Sequence, residues 1–137
     1  MQKVNSKEKF LSEIKFDEKG LVGAIVQNYQ NNQILMFAFM NKQAIIKTIE
    51  TGFAHYFSRS RNKLWKKGET SGQTQKIQEI LLDCDGDCLI LKIEQNGVAC
   101  HSGTKSCFYK TLDENLSWQR NQQILISNEE LYGKKQD

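Results

Sequence analysis

The sequence predicts an α+β fold in which a mostly antiparallel sheet packs against one principal helix. Three observations support this class. Short apolar segments of strand length recur between turn residues. A single stretch, residues 41–52, has helical spacing with capping residues at both ends. The 137 residues, 39% of them hydrophobic, suffice for one domain. Within this domain we expect a main part over residues 1–112 and a polar C-terminal extension of unknown role over residues 113–137.

The first predicted elements form a hairpin. Leu21 to Gln27 is rich in β-branched residues, and Ile34 to Met40 is almost continuously apolar. Asn31-Asn32 between them supplies the turn. The continuous apolar character of the second strand indicates burial on both faces.

The principal helix follows directly. Asn41 is a good N-cap residue, and Gly52 is suited to end the helix. The residues between them that recur at helical spacing are Ala44, Ile45, Thr48 and Ile49.

The middle of the chain alternates strands with one long polar stretch. We expect a strand from Phe53 to Ser58 and then a loop over residues 59–75, which holds two glycines and few apolar side chains. Further strands are predicted at Ile77–Asp83, at Cys88–Glu94 and, after an Asn96-Gly97 turn, at Val98–Cys100. In the extension we expect a helix over Leu116–Ile126 and a short helix opened by Ser127 or Asn128.

Charge and composition narrow the classes of partner. The net charge of +3 is too small to indicate binding of nucleic acid or of a membrane surface. No apolar run approaches the roughly 18 residues that a membrane span needs, and the N-terminus does not resemble a signal peptide. We therefore expect a cytoplasmic protein, whose four cysteines serve as metal ligands or free thiols rather than disulfides.

The segment Asp83-Cys84-Asp85-Gly86-Asp87 combines hard and soft metal ligands. In an extended chain, the three aspartates would project to one side and Cys84 to the other, giving two metal sites back to back. Cys88 stands where a calcium-binding EF-hand loop requires glycine, which excludes that motif. The alternative is a solvated turn between two strands.

Cys84, Cys100 and Cys107 lack the close Cys-x₂-Cys spacing of structural zinc ribbons. Three protein ligands with an open fourth position are typical of catalytic zinc. Cys88 could complete a closed set of four, but its place in an apolar run favours a small buried side chain. His101, next to Cys100, is either a general acid or base near neutral pH or a fourth ligand. For His55 we expect a partly buried, hydrogen-bonded side chain.

The long polar stretch offers a cradle for phosphate groups. It supplies charged donors, hydroxyls and glycines whose backbone N–H groups are accessible. Its spacing differs from that of a Walker loop. The candidate substrate-binding residues are Arg59, Arg61, Trp65, Lys67, Thr70 and Ser71.

Taken together, these motifs resemble the phosphoribosyl-AMP cyclohydrolase family over roughly residues 15–110. The resemblance is carried by motifs in the same order: Tyr56-Phe-Ser-Arg-Ser-Arg61, Leu64-Trp65, Lys67-Gly-Glu-Thr-Ser-Gly72, Asp83-Cys-Asp-Gly-Asp87, Cys100-His101 and Cys107. It implies metal-dependent hydrolysis of the N1–C6 bond in the adenine ring of phosphoribosyl-AMP, the third step of histidine biosynthesis. Cys88 and the chain after about Tyr109 match no motif of the family.

The resemblance also implies roles for individual residues. The enzyme would be an interlocked homodimer in which Cys84 of one chain joins Cys100 and Cys107 of the other around Zn²⁺. Asp83, Asp85 and Asp87 would hold Mg²⁺. His101 would be the catalytic histidine, and the basic stretch would bind the substrate.

Two alternative functions lack support in the sequence. A zinc nucleotide deaminase would need a His-x-Glu motif and a Cys-x₂-Cys pair, and neither is present. A zinc module that binds nucleic acid would need a basic face with interleaved aromatic residues. The aromatic residues here lie mostly in apolar strand patterns.

Overall fold

A computed structural model describes residues 9–132 of the chain. Residues 1–8 and 133–137 of the predicted domain and extension lie outside this range. Among the described residues, no helix has both the length and the apolar character needed to cross a membrane. The strands are β1 (Val22–Asn28), β2 (Ile34–Met40), β3 (His55–Ser58), β4 (Lys63–Lys66), β5 (Gln75–Leu82), β6 (Cys88–Gln95), β7 (Lys110–Leu112) and β8 (Trp118–Arg120). The helices are α1 (Lys42–Thr51) and α2 (Asn128–Tyr132).

The main sheet has four strands in the order β2-β1-β6-β5. Strands β1 and β2 form the predicted antiparallel hairpin, and β5 and β6 form a second one. The two hairpins join through the parallel pair of β1 and β6. Two small antiparallel ribbons, β3-β4 and β7-β8, complete the sheet structure. The predicted α+β class and the mostly antiparallel sheet are therefore confirmed.

One face of the main sheet is packed against α1. The side chains of β1 and β6 alternate between buried and half-buried, as expected for a sheet with one face on the core. Helix α1 buries the four predicted positions against this face, namely Ala44, Ile45, Thr48 and Ile49. Asn41 Oδ1 accepts a hydrogen bond from the Ala44 amide at 2.8 Å. Gly52, with φ of 80°, ends the helix as predicted.

The predicted loop over residues 59–75 is partly wrong, because it contains β4. Strand β4 pairs with β3 so that Trp65 lies opposite Tyr56. Asn62 adopts a positive φ of 52° in the connecting turn, a conformation that asparagine tolerates better than most residues. Because no glycine stands where the chain reverses, this turn was not evident from the sequence. The predicted strand Val98–Cys100 is also absent, and these residues form an irregular turn.

The predicted helix over Leu116–Ile126 is wrong, because the segment contains strand β8, which pairs with β7, followed by an irregular stretch. Asp113 Oδ1 accepts hydrogen bonds from the Asn115 and Ser117 amides, which stabilises a turn instead of a helix. The short second helix is confirmed as α2. Ser127 Oγ accepts from the Glu130 amide at 3.1 Å, and Glu130 returns the contact to the Ser127 amide at 2.9 Å.

The register of the strands gives the main sheet two distinct ends. The turn between β5 and β6, which carries the acidic segment, lies at the end where Gly23 is paired with Cys88. The opposite end holds the start of β2, the end of β1 and the Asn96-Gly97 turn. The predicted site residues are distributed over both ends.

Candidate active site

The acidic segment is a tight turn and not an extended strand. The Asp83 amide donates to the Cys88 carbonyl, and the Gly86 amide donates to the Asp83 carbonyl, both at 3.0 Å. Gly86 has φ of 76°, so the chain reverses where the alternation of side chains was expected to continue. The prediction of two metal sites back to back on one strand is therefore wrong.

The turn nevertheless gathers the three carboxylates. Ligand oxygens of Asp83, Asp85 and Asp87 all lie within 4.8 Å of one another, and all three side chains are exposed. Desolvation acts to raise the pKa of Asp83, but hydrogen bonds led by the Asp87 amide lower it overall. The hydrogen bond with Asp83 and the negative charge of that neighbour raise the pKa of Asp87. Such a concentration of negative charge is suited to a hard divalent cation.

The opposite end of the sheet holds a pair of thiols, Cys100 and Cys107. Cys100 is buried, and the Cys107 amide donates to the Leu35 carbonyl of β2 at 2.6 Å. The Cys100 sulfur lies 2.9 Å from Ser102 Oγ. Burial acts to raise the pKa of Cys100, but hydrogen bonds from Ser102, Thr104 and Cys107 lower it overall. The arrangement favours a thiolate at Cys100.

Two neighbouring groups, Cys107 and Lys67, interact electrostatically with Cys100. Burial, together with the negative charge of Cys100, raises the pKa of the Cys107 thiol to about 12. The Lys67 ammonium is buried as well, which lowers its pKa, while the two thiols act in the opposite direction. The pKa of Cys100 is thus lowered and that of Cys107 raised, so Cys100 is the more acidic thiol of the pair. A soft cation would favour ionisation of both.

A cavity of about 730 Å³ lies beside this thiol pair. Five of the six predicted substrate-binding residues and the predicted catalytic histidine line it: Arg61, Trp65, Lys67, Thr70, Ser71 and His101. The sixth, Arg59, places its guanidinium 4.2 Å from the ring centroid of Phe39, which lines the same cavity. The β3-β4 ribbon and the loop that follows it thus bring together residues that are distributed over more than forty positions of the sequence.

The two groups of predicted metal ligands do not meet within the chain. Cys84 is exposed on the acidic turn, at the level of Cys88 in β6, whereas Cys107 lies beside Leu35, at the level of Leu91 and Lys92. Three to four residues of β6 separate these levels along the strand, which is about 10–13 Å at roughly 3.3 Å per residue. Cys88 is half-buried at the acidic end, so it does not join the thiol pair. His55 is buried and its Nδ1 lies 2.8 Å from the Phe53 carbonyl, as predicted.

A buried network of glutamines connects the substrate loop to the thiol loop. Tyr56 donates to Gln75 Oε1 at 2.5 Å, and Gln75 Nε2 donates to Gln95 Oε1 at 2.8 Å. Gln95 Nε2 in turn donates to the carbonyl of Val98 at 3.2 Å, two residues before Cys100. Gln73 adds a second connection, because its Oε1 also accepts a hydrogen bond from this loop. A glutamine in an alternating polar sequence gives no signal of such a role.

Sequence reasoning also missed the part of the site contributed by the C-terminal extension. Asn128 and Tyr132 line the cavity together with His101. Asn128 Nδ2 donates to the His101 carbonyl at 3.2 Å. The only signal in the sequence was the Ser127-x-x-Glu130 capping pattern, which predicts a helix but not its location.

Comparisons with known proteins identify the family of the chain. The family model described as phosphoribosyl-AMP cyclohydrolase matches residues 36–109. A protein of that name from Methanococcoides burtonii is 60% identical over 103 residues, covering 75% of this chain and 85% of the relative. Another from Neisseria meningitidis is 53% identical, covering 90% of this chain and 94% of the relative. One from Chlorobium phaeovibrioides is 51% identical, covering 92% of each. The chain belongs to the phosphoribosyl-AMP cyclohydrolase family.

Proposed function

We propose that the protein hydrolyses the N1–C6 bond of the adenine ring of phosphoribosyl-AMP, in the cytoplasm, as the third step of histidine biosynthesis. The observation that carries the proposal is the cavity in which His101 and Lys67 adjoin the Cys100-Cys107 pair. Relatives that share half or more of the aligned residues are named for this reaction.

The lining of the cavity suits a nucleotide with two phosphate groups. Its volume of about 730 Å³ falls within the range of roughly 300–1,000 Å³ that small-molecule sites span. Arg61 and Lys67 supply positive charge for the phosphates, and Thr70 and Ser71 supply hydroxyl donors. Trp65 offers an aromatic face against which a purine ring can stack.

The donor chemistry of Cys100 and Cys107 fits Zn²⁺. Both are sulfur ligands, their side chains are in contact, and the surroundings of Cys100 already favour the thiolate that zinc requires. When bound, Zn²⁺ would lower the pKa of a water molecule toward neutrality. Ser102, which hydrogen-bonds the Cys100 sulfur, would orient this ligand.

We propose that the third sulfur ligand, Cys84, comes from a second chain. Zinc–sulfur bonds of about 2.3 Å require ligand sulfurs that lie close together, whereas Cys84 and Cys107 of one chain lie at opposite ends of the sheet. The adjoining edge strand β5 exposes Ile80, Leu81 and Leu82, an apolar surface suited to contact with another subunit. An interlocked homodimer accounts for both features.

The same arrangement explains the position of the acidic turn. Asp83, Asp85 and Asp87 offer hard oxygen ligands that fit Mg²⁺, which would neutralise a substrate phosphate when bound. These aspartates flank Cys84. The turn of the partner subunit would therefore bring them to the cavity together with the third sulfur ligand.

His101 is the residue we propose for proton transfer. It lines the cavity and is exposed to it. It would accept a proton from the water that attacks C6 and deliver it to N1 as the C6–N1 bond breaks, leaving a carboxamide at C6. General acid–base catalysis of this kind contributes about 10²–10⁴-fold to the rate.

The proposal is tested by incubating the protein with phosphoribosyl-AMP and Zn²⁺ and following the purine absorbance. We expect the adenine absorbance to change as the ring opens, with no release of ammonia. Release of ammonia would instead indicate a deaminase. AMP, which lacks the substituent on N1, serves as the control and should remain intact.

A further inference from the structure

The chain after β8 returns to the loop that carries the thiol pair. We call residues 121–132 the C-terminal strap. The Asn121 amide donates to the Tyr109 carbonyl at 2.8 Å, and Gln122 Oε1 accepts from the Ser106 amide at 3.0 Å. Together with the Asn128 contact to His101, these bonds fix the strap along the thiol loop from residue 109 back to residue 101.

The strap and the thiol loop touch at their backbones. The amide of Leu125 donates to the Gly103 carbonyl at 2.8 Å. A Cβ at Gly103, which has φ of 93°, would meet the Ile126 carbonyl oxygen at 1.8 Å. Leu131 is only 6% exposed, so the strap is anchored by a buried side chain at its far end as well. The contact is therefore specific and close.

This anchoring places Tyr132 in the substrate cavity. Its half-buried side chain lines the same cavity as His101, Trp65 and Lys67. Burial, together with the negative charges of Cys100 and Cys107, raises the pKa of the Tyr132 phenol. The hydroxyl therefore remains a hydrogen-bond donor throughout the neutral range.

We propose that the C-terminal strap forms a wall of the substrate cavity and that Tyr132 contacts the bound nucleotide. The inference rests on the proposed function, because it takes the ligand of the cavity to be that substrate. A tyrosine combines an apolar ring with a polar tip, which suits a ligand that presents both a purine and many oxygen acceptors. Tyr132 is thus a residue for substrate binding, outside the residues 36–109 that the family model matches.

The test compares Tyr132→Phe and Tyr132→Ala with the wild-type protein in steady-state turnover of phosphoribosyl-AMP. Loss of the hydroxyl alone should raise KM about three- to tenfold, the effect of one hydrogen bond to a ligand. Loss of the whole ring should raise KM about ten- to a hundredfold. In both variants kcat should stay within about twofold of wild type, because the contact is made in the ground state as well as in the transition state.

Glu129→Gln is the matched control, because Glu129 is exposed on the same short helix and does not line the cavity. It should leave KM unchanged. Thermal unfolding should give the same midpoint for the wild type, the two Tyr132 variants and Glu129→Gln. The inference is overturned if both Tyr132 variants keep the wild-type KM, or if Glu129→Gln raises KM to the same extent.

Calorimetric titration with AMP separates this inference from the proposed function. We expect AMP to bind the wild-type protein and to bind Tyr132→Ala about tenfold more weakly. If wild type binds AMP in this manner but does not turn over phosphoribosyl-AMP, the proposed function fails and the contact of Tyr132 with a nucleotide stands. Absence of both turnover and AMP binding in wild type would overturn both.

Discussion

The Val98 amide donates a hydrogen bond to Gln73 Oε1 at 2.8 Å. Gln73 belongs to the loop that supplies Thr70 and Ser71 to the cavity, and its amide nitrogen Nε2 donates to the Ser71 carbonyl at 3.2 Å. Val98 precedes Cys100 by two residues. One side chain therefore joins the part of the chain proposed to bind substrate to the part proposed to bind zinc.

We expect Gln73→Ala to lower kcat/KM about tenfold, because a half-buried N–H and a carbonyl lose their partner and the two loops are no longer held together. Zinc content, measured by atomic absorption, should stay at the wild-type level. Gln78→Ala is the control, since Gln78 bonds only to the exposed Glu94 and should have little effect. Equal loss of activity in the two variants would contradict this role of Gln73.

Cys100→Ser and Cys107→Ser should each abolish turnover and lower the zinc content by about one ion per site, because a hydroxyl is a much poorer zinc ligand than a thiolate. The control is Cys88→Ser, which makes the same replacement of sulfur by oxygen at the other end of the sheet. It should retain both metal and activity. A zinc-free, inactive Cys88→Ser protein would instead favour a site of four cysteines.

Mixing two inactive variants tests whether the zinc site is shared between subunits. Cys84→Ser and Cys107→Ser proteins should each be inactive alone. After they are unfolded and refolded together, half of the dimers are mixed, and one of the two sites in each mixed dimer has all three cysteines. About a quarter of wild-type activity should return. No recovery, with mixed dimers demonstrated by mass spectrometry, would place all three sulfur ligands in one chain.

His101→Ala should bind zinc with wild-type stoichiometry but lose about 10²–10⁴-fold in kcat, because its imidazole is the proposed proton carrier. KM for phosphoribosyl-AMP should change little. Loss of zinc together with activity would identify His101 as a ligand, the alternative that the sequence left open.

Asn41→Ala should lower the free energy of unfolding by about 1 kcal/mol, the typical contribution of an N-cap side chain. The Ala44 amide loses its acceptor when the Asn41 carboxamide is removed. Chemical denaturation measures the change, and Asn41→Asp should retain most of the stability. A change in kcat without a change in stability would contradict a purely structural role.

The sequence by itself determined the local elements whose signals are short in range. The caps Asn41 and Gly52 set the bounds of α1, since each acts on backbone groups within four residues. Strand-forming segments predicted the first hairpin of the main sheet and the two strands of the second, and Ser127 or Asn128 as an opening residue predicted α2. The motifs also identified six residues that line the cavity, from Arg61 to His101, because their chemistry and order are carried by the chain itself.

Only the tertiary structure decided where these pieces lie relative to one another. Alternation predicted an extended acidic segment, but Gly86 reverses the chain there, and the carboxylates meet across a turn. The parallel pairing of β1 with β6 sets Cys84 and Cys107 at opposite ends of one sheet. The C-terminal strap reaches the cavity through hydrogen bonds to the backbone of residues 101–109, and the partners in these bonds are far apart in the sequence. Long-range pairing of this kind leaves no pattern in a single sequence.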